Sequence, residues 1–309
     1  MRFVVTGGAG FIGSHIADAL VNRGDEVVIL DNLFSGSMEN IRQIIDNPLV
    51  KFIRGSINEK KLLQQACKNA DGIFHEAAIT SVPRSVKDPV ASNEVNITGT
   101  LNVLIAAHNC NVKKIIYASS SSVYGDTPTL PKREDMIPNP KSPYAITKLT
   151  GEYYINVFHE LYSMDTVSLR YFNVFGPRQD PQSEYSAVIP KFITKTLHHE
   201  SPVIYGDGSQ TRDFTYVKDV VQANIRAMDS AAQGVFNVAY GSRITLIKLA
   251  RIIMDALGED LPLIYESPRS GDIHDSLAAI SAAQNAFKYA PEYTVKTGLE
   301  ETIAWYQNQ

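Results

Sequence analysis

Residues 6–13, Thr6-Gly7-Gly8-Ala9-Gly10-Phe11-Ile12-Gly13, constrain this chain more than any other segment. They join a short apolar run, Phe3–Thr6, to a stretch, Phe11–Arg23, on which Phe11, Ile12, Ile16, Ala19 and Leu20 share one helical face. Gly7, Gly10 and Gly13 form a G-x-x-G-x-x-G spacing. Glycines at such places permit a tight strand-to-helix turn, let backbone approach a pyrophosphate and let the helix pack close on the strand. The helix then starts with free N–H groups that face an anion.

The same alternation continues. Gly24 stops the first helix, and Glu26–Asp31, Val50–Arg54, Gly72–His75, Lys113–Ser119 and Thr166–Arg170 read as strands. Glu59–Lys68, Val90–Asn109 and Ala145–Tyr162 read as helices between them. Near-continuous apolar strands alternating with helices predict an α/β fold, a doubly wound and mostly parallel Rossmann-type sheet with right-handed crossovers. Beyond Arg170 the elements shorten around Gly176-Pro177, Asp180-Pro181 and Gly206-Asp207-Gly208. Val217–Met228 reads as a helix and Gly234–Ala239 as a strand able to rejoin the sheet. The expected division is a cofactor domain over 1–170, rejoined by 214–240, and a smaller C-terminal α/β substrate lobe over 171–213 and 241–309.

Asp31 closes the second strand 18 residues past Gly13, where a carboxylate accepts from the adenosine ribose hydroxyls. Its charge repels a 2′-phosphate, and Asn32–Met38 contains no Arg, so the cofactor expected is NAD rather than NADP.

Composition narrows the partners. Lys and Arg total 29 against 33 Asp and Glu, which leaves no basic surplus for nucleic acid or an anionic membrane surface. No apolar run approaches a membrane span, and the N-terminus lacks the pattern of a signal peptide. Two cysteines, Cys67 and Cys110, make no disulfide framework and are expected as small buried thiols. A cytosolic, metal-free protein is expected, with His198-His199 an exposed helix end lacking partner ligands.

Tyr144-Ala145-Ile146-Thr147-Lys148 opens the helix that follows the fifth strand. The Y-x-x-x-K spacing alone is weak in a chain with 15 tyrosines, but its place is informative. Residues four apart share a helical face, so the Lys148 ammonium can stand near the Tyr144 phenol. A free phenol, with a pKa of about 10, is a poor base at neutral pH. A neighbouring cation and a positive nicotinamide ring favour the phenolate and tune it for proton transfer. Ser120, at the end of the fifth strand, would hydrogen-bond the substrate hydroxyl being oxidised.

Together TGGAGFIG, Asp31-Asn32, His75-Glu76-Ala77-Ala78, Asn96 in NITGTLNVL, SSSSVYG, the Y-x-x-x-K and RYFNVFGP resemble the extended short-chain dehydrogenase/reductase superfamily. Within it the chain is most similar to the UDP-hexose 4-epimerases, from Met1 to about residue 285. The resemblance implies NAD contacts from Gly7, Gly10, Phe11, Ile12, Gly13, Asp31, Asn32, Ser56, Ile57, Ala77, Ala78, Asn96, Tyr144, Lys148 and Tyr171. Ser56 departs from the pattern, since the family usually carries Asp there, near the adenine amine. The implied reaction is a hydride loan at the sugar C4, with Tyr144, Lys148 and Ser120 catalytic and no net redox change.

The same resemblance implies a UDP-sugar substrate. Related 4,6-dehydratases carry Asp-Glu immediately after the catalytic Ser or Thr, and UDP-xylose-forming decarboxylases carry Glu at the second position; here stand Ser121 and Ser122. Asn173, Arg212 and Arg269 match diphosphate ligands, Asp272 a ribose ligand, and Tyr205 lies against the uracil. Guanidinium forks suit phosphate oxygens. Ser81, Ser120, Ser122, Tyr144 and Val188 complete the implied sugar site. Ser276 falls where a Tyr would block an N-acetyl group, so UDP-N-acetylglucosamine and UDP-N-acetylgalactosamine are expected alongside UDP-glucose and UDP-galactose. A UDP-glucuronate 4-epimerase stands as the alternative, and a catalytically idle NAD-binding sensor or scaffold as a reading from another class. The resemblance further implies a homodimer that pairs Val90–Asn109 and Ala145–Tyr162 in a four-helix bundle; faces bearing Leu101, Leu104, Leu149 and Tyr153 are compatible with that pairing and equally with a core.

Overall fold

The computed structural model describes residues 1–180, 188–268 and 274–308. Its first half runs β1 (Arg2–Thr6), α1 (Phe11–Asn22), β2 (Glu26–Asp31), β3 (Val50–Arg54), α2 (Lys60–Cys67), β4 (Gly72–His75), α3 (Val82–Lys87), α4 (Pro89–Asn93), α5 (Thr100–Asn109), β5 (Lys114–Ser120), α6 (Pro143–Tyr162) and β6 (Asp165–Tyr171). Short elements follow: β7 (Val174–Phe175), α7 (Val188–Leu197), β8 (Val203–Tyr205), β9 (Thr211–Arg212), β10 (Thr215–Tyr216) and α8 (Val217–Asp229). The chain closes with β11 (Gly234–Val238), β12 (Ile244–Thr245), α9 (Leu246–Leu257), β13 (Ile264–Glu266), α10 (Ser281–Phe287) and α11 (Val295–Gln307).

Seven strands form one sheet in the order β11-β6-β5-β4-β1-β2-β3, and every pairing in it is parallel. The strands are apolar throughout because both faces are covered. Phe3, Val5, Val27 and Ile29 pack in one core with Ile16 and Leu20 of α1 and Val220 and Ala223 of α8. Val4, Val28 and Leu30 pack in the other with Leu63 of α2 and Val103 of α5. The strand order reverses between β1 and β4, and an open α/β sheet forms its ligand crevice at the C-terminal edge of such a switch point.

A third core joins Phe192 and Ile193 of α7, Leu249 and Ile253 of α9, and Leu299 and Ile303 of α11. Three two-stranded ladders, β7·β10, β8·β13 and β9·β12, frame it. Among the described residues no helix is long and apolar enough to cross a membrane, and no cluster of potential metal ligands occurs.

Two sequence expectations need correction. Val90–Asn109 is not one regular helix: Glu94–Gly99 forms a six-residue π-helical segment between α4 and α5. Such wide turns are frequent at functional sites, and here the turn carries the buried Asn96 amide to the loop after β4. Leu104, open to either a pairing face or the core, is fully buried in the core that also holds Leu63 of α2. Cys110 is half-buried at the end of α5, whereas Cys67 is buried as expected.

Candidate active site

The glycine loop sits at the switch point. Gly7 has a φ of +68°, and a Cβ there would lie 2.7 Å from the Ala77 backbone nitrogen. A side chain would therefore be strained and would also force apart the loops after β1 and β4. Gly13 brings α1 onto the loop, since its Cβ would stand 2.3 Å from the Gly7 carbonyl oxygen. The helix begins at Phe11-Ile12 behind Gly10, which has no side chain to cap it, and the first turn carries no acid. Its N–H groups are left to an anion, which fits a dinucleotide pyrophosphate.

Asp31, the residue expected at the adenosine end, closes β2. The Ala9 N–H donates to Asp31 Oδ2 at 3.0 Å and the Leu33 N–H to Oδ1 at 2.7 Å. Burial raises the carboxyl above its usual range, against the pull of these two donors. Asn32 accepts from the Phe34 N–H. Ser56 Oγ accepts from the Asn58 N–H, while Ile57 is buried against Gly99. Ala77 and Ala78 are half-buried after β4. Asn96 is occupied on both sides of its amide: Oδ1 accepts from the Ile79 N–H at 2.8 Å, and Nδ2 donates to the Ile79 carbonyl and Thr147 Oγ1. It shapes the loop beneath the groove.

The residues expected to be catalytic meet where β5 ends and α6 begins. Ser142 caps α6 by accepting from the Ala145 N–H at 3.2 Å, and Pro143 fills the first helical position. Tyr144 follows at once, its N–H donating to the buried Ser85 Oγ at 3.0 Å. Lys148 Nζ donates to the Ala118 carbonyl at 2.7 Å and stands 5.9 Å from the centroid of the Tyr144 ring. The helix lies close on the strand because residue 151 is Gly, whose Cβ would meet Tyr117 Oη at 2.1 Å. Ser120 Oγ accepts from the Ser122 N–H at 3.1 Å. Burial pushes the Tyr144 phenol up to about 12, opposed by its hydrogen bond with Ser120. Burial also brings the Lys148 ammonium down to about 8, opposed by the charges of Glu76 and Glu152. Behind them Glu152 receives both Nε and Nη2 of Arg170, at 2.9 and 2.7 Å, and a hydrogen bond from Ser119. The phenol and ammonium are thus adjacent in a dry site, an arrangement that moves a proton at a substrate hydroxyl.

Of the residues expected to meet the substrate, Asn173, Ser276 and Arg212 lie beyond β6. Asn173 Nδ2 donates to the Asp213 carbonyl at 2.9 Å and to Ser276 Oγ at 3.0 Å. Arg212 Nη1 donates to the carbonyls of Thr211 and His274. Tyr205, in β8, gives its carbonyl to Gln210 Nε2. Val188 opens α7, and Ser81 Oγ caps α3 through the Arg84 N–H. Arg269 and Asp272 lie outside the described residues. Sequence reasoning gave no role to Ser85, to Glu76, or to His75, whose ring bridges Thr6 Oγ1 at 2.7 Å and Thr100 Oγ1 at 2.9 Å. The partners that give them their place here, Tyr144, Tyr171 and Thr100, lie 59, 95 and 25 residues away.

A parallel sheet with an anion-ready glycine loop at its switch point, and a Ser–Tyr–Lys set on the same edge, defines a dinucleotide-dependent α/β enzyme. The chain matches the NAD dependent epimerase/dehydratase family over residues 3–239 and belongs to it; NAD is its cofactor. A UDP-N-acetylglucosamine 4-epimerase from Methanobrevibacter ruminantium, solved with UDP-N-acetylmuramic acid, is 46% identical with a TM-score of 0.96, covering 99% of this chain and 98% of that one. The UDP-glucose 4-epimerase of Thermus thermophilus, solved with NAD, is 36% identical with a TM-score of 0.91, covering 99% of each chain. A UDP-glucose 4-epimerase of Mycolicibacterium smegmatis is 38% identical over 312 residues, covering 100% of this chain and 99% of its own.

Proposed function

We propose that this protein interconverts C4 epimers of UDP-hexoses through a 4-keto intermediate, taking the UDP-N-acetylglucosamine/UDP-N-acetylgalactosamine pair as well as UDP-glucose/UDP-galactose. The observation that carries the reading is the Ser120–Tyr144–Lys148 set flanked by Ser121 and Ser122, positions at which elimination or decarboxylation would call for an acid. NAD, when bound, supplies reversible hydride acceptance. Tyr144 as phenolate takes the O4 proton while C4 loses its hydrogen as hydride, with Lys148 holding the phenolate charge and Ser120 hydrogen-bonding O4. The keto sugar turns over, hydride returns to the opposite face of C4, and Tyr144 gives the proton back. No net oxidation results.

Asn173, Arg212 and Arg269 hold the diphosphate, Asp272 the ribose and Tyr205 the uracil, in a substrate lobe formed by 171–213 and 241–309. Ser122 Oγ, buried and unpartnered among the described residues, is left for the sugar. The small Ser276 beside Asn173 supports acceptance of an N-acetyl group, as does the likeness to a UDP-N-acetylglucosamine 4-epimerase. Ile146, Tyr153, Val157 and Leu161 form an exposed apolar stripe along α6, and Ile105 is exposed on α5; these support a homodimer that pairs the two helices of each subunit in a four-helix bundle. Two free thiols support action in the cytosol.

The test is product analysis after incubation with NAD and, separately, UDP-N-acetylglucosamine, UDP-glucose and UDP-glucuronate. The expected products are the C4 epimers of the first two. Turnover of the uronate alone, or a dehydrated product, would overturn the reading.

A further inference from the structure

Glu76 has no part in the proton transfer above, yet it stands at the sheet's switch point, close enough to Tyr144 and Lys148 for their charges to interact. It follows β4 at the switch point, immediately before Ala77, whose backbone closes on Gly7. His75 pairs with Tyr117 across the β4–β5 register, so Glu76 comes level with Ala118, whose carbonyl accepts from Lys148 Nζ. Tyr171, at the end of β6 and level with Ser120, donates its hydroxyl to Glu76 Oε1 at 2.9 Å. Asn224 Nδ2 of α8 donates in turn to Tyr171 Oη at 2.8 Å.

One carboxylate oxygen is therefore anchored by a chain of hydrogen bonds from two elements, while Oε2 has no hydrogen-bond partner among the described residues. Glu152, the other acid near Lys148, has its charge matched by a bidentate Arg170. Glu76 has no such ion pair among the described residues. Its burial raises the carboxyl to about 7, with the Tyr171 hydrogen bond and the Lys148 charge pulling it back. The facing titratable groups are Tyr171 from β6 and Tyr144 and Lys148 from α6; α8 presents the uncharged Asn224. An anchored carboxyl with an unmatched charge stands at the end of the groove where Tyr144 and Lys148 act, the end to which the reacting ring of the cofactor must come.

We infer that Glu76 is a further cofactor-binding residue, whose carboxylate favours oxidised NAD over NADH because the nicotinamide ring is cationic only when oxidised. The inference rests on the NAD cofactor and not on the sugar proposed above. Its consequence is that the reduced cofactor is the disfavoured state, so the borrowed hydride is returned and not stranded.

Competition between NADH and NAD for the purified protein, followed by NADH fluorescence at about pH 8 where the carboxyl is ionised, reads this preference directly. Glu76→Gln keeps the shape and an acceptor for Tyr171 but removes the charge. It is expected to raise the NADH-to-NAD affinity ratio about tenfold, equivalent to about 30 mV in a two-electron potential. Glu76→Asp keeps the charge and is expected to stay closer to the parent ratio than to that of the Gln variant. Should Glu76→Gln not fold, Glu76→Ala leaves Tyr171 its Asn224 partner and reads the same ratio. A Gln ratio within about twofold of the parent, or an equal loss of both nucleotides, would overturn the inference. If no UDP-sugar is epimerised but the ratio shifts, the proposed reaction falls and this inference stands. The converse result removes the inference alone.

Discussion

Asn173 and Ser276, 103 residues apart, share a hydrogen bond in which Asn173 Nδ2 donates to Ser276 Oγ at 3.0 Å. The Asp213 N–H donates to the same oxygen at 3.2 Å. Asn173 holds a φ of +36°, a left-handed conformation that persists only where surrounding contacts over-determine it. Ser276 is thereby fixed beside the residue assigned to the diphosphate and sugar. Ser276→Tyr is expected to lower kcat/KM for the N-acetylated pair by more than about 100-fold while leaving the plain hexoses within a few-fold. Parallel assays on both pairs decide it, and equal loss of the two would contradict the gate.

Tyr144 and Lys148 predict opposite protonation behaviour. The phenol, held at about 12 by burial, needs a cation to serve as a base near neutrality. The ammonium, lowered to about 8, is present below that pH and lost above it. The pH profile of kcat/KM is expected to descend on its alkaline side with a midpoint near 8. Tyr144→Phe is expected to lower kcat by about 10²–10⁴ while NAD still binds. A variant that loses turnover only because NAD no longer binds would contradict the assignment.

His75 makes acid stability a test of the groove's foundation. Burial holds its ring neutral, at about 3, between the hydroxyls of Thr6 and Thr100. The unfolded ring titrates at about 6.5, so between these values the unfolded chain binds more protons than the native one. Stability therefore falls as pH falls through that window. His75→Leu is expected to lower stability at neutral pH by about 1–3 kcal/mol, through the hydrogen bonds lost at Thr6 and Thr100, and to flatten the acid loss. Thermal unfolding of both proteins across the window measures the two effects.

Val157 probes the apolar stripe of α6. The proposed homodimer is expected to sediment as such in analytical ultracentrifugation, and Val157→Glu to convert it to a monomer with helix content unchanged. A parent protein that sediments as a monomer would contradict the proposed pairing.

Much of this was legible in the chain because it is local. Gly7, Gly10 and Gly13 act within one turn, Tyr144 and Lys148 lie one helical turn apart, and apolar strands such as Glu26–Asp31 announce a sheet covered on both faces. What stayed hidden depends on partners that only the fold brings together. Ser85 reaches Tyr144 across 59 residues, and Glu76 meets Tyr171 across 95. The wide turn at Asn96 answers to the Ile79 backbone, a demand that helical periodicity does not register. Leu104 suits an outer face as well as a core, and α2 settles it.

The central claim is that hydride leaves and returns at the same carbon. UDP-N-acetylglucosamine carrying deuterium at C4, incubated with the protein and NAD in ordinary water, tests it most directly. The account predicts a C4 epimer that keeps its deuterium, with no lasting NADH absorbance. Loss of the label to solvent, or a product that leaves stoichiometric NADH behind, would contradict it.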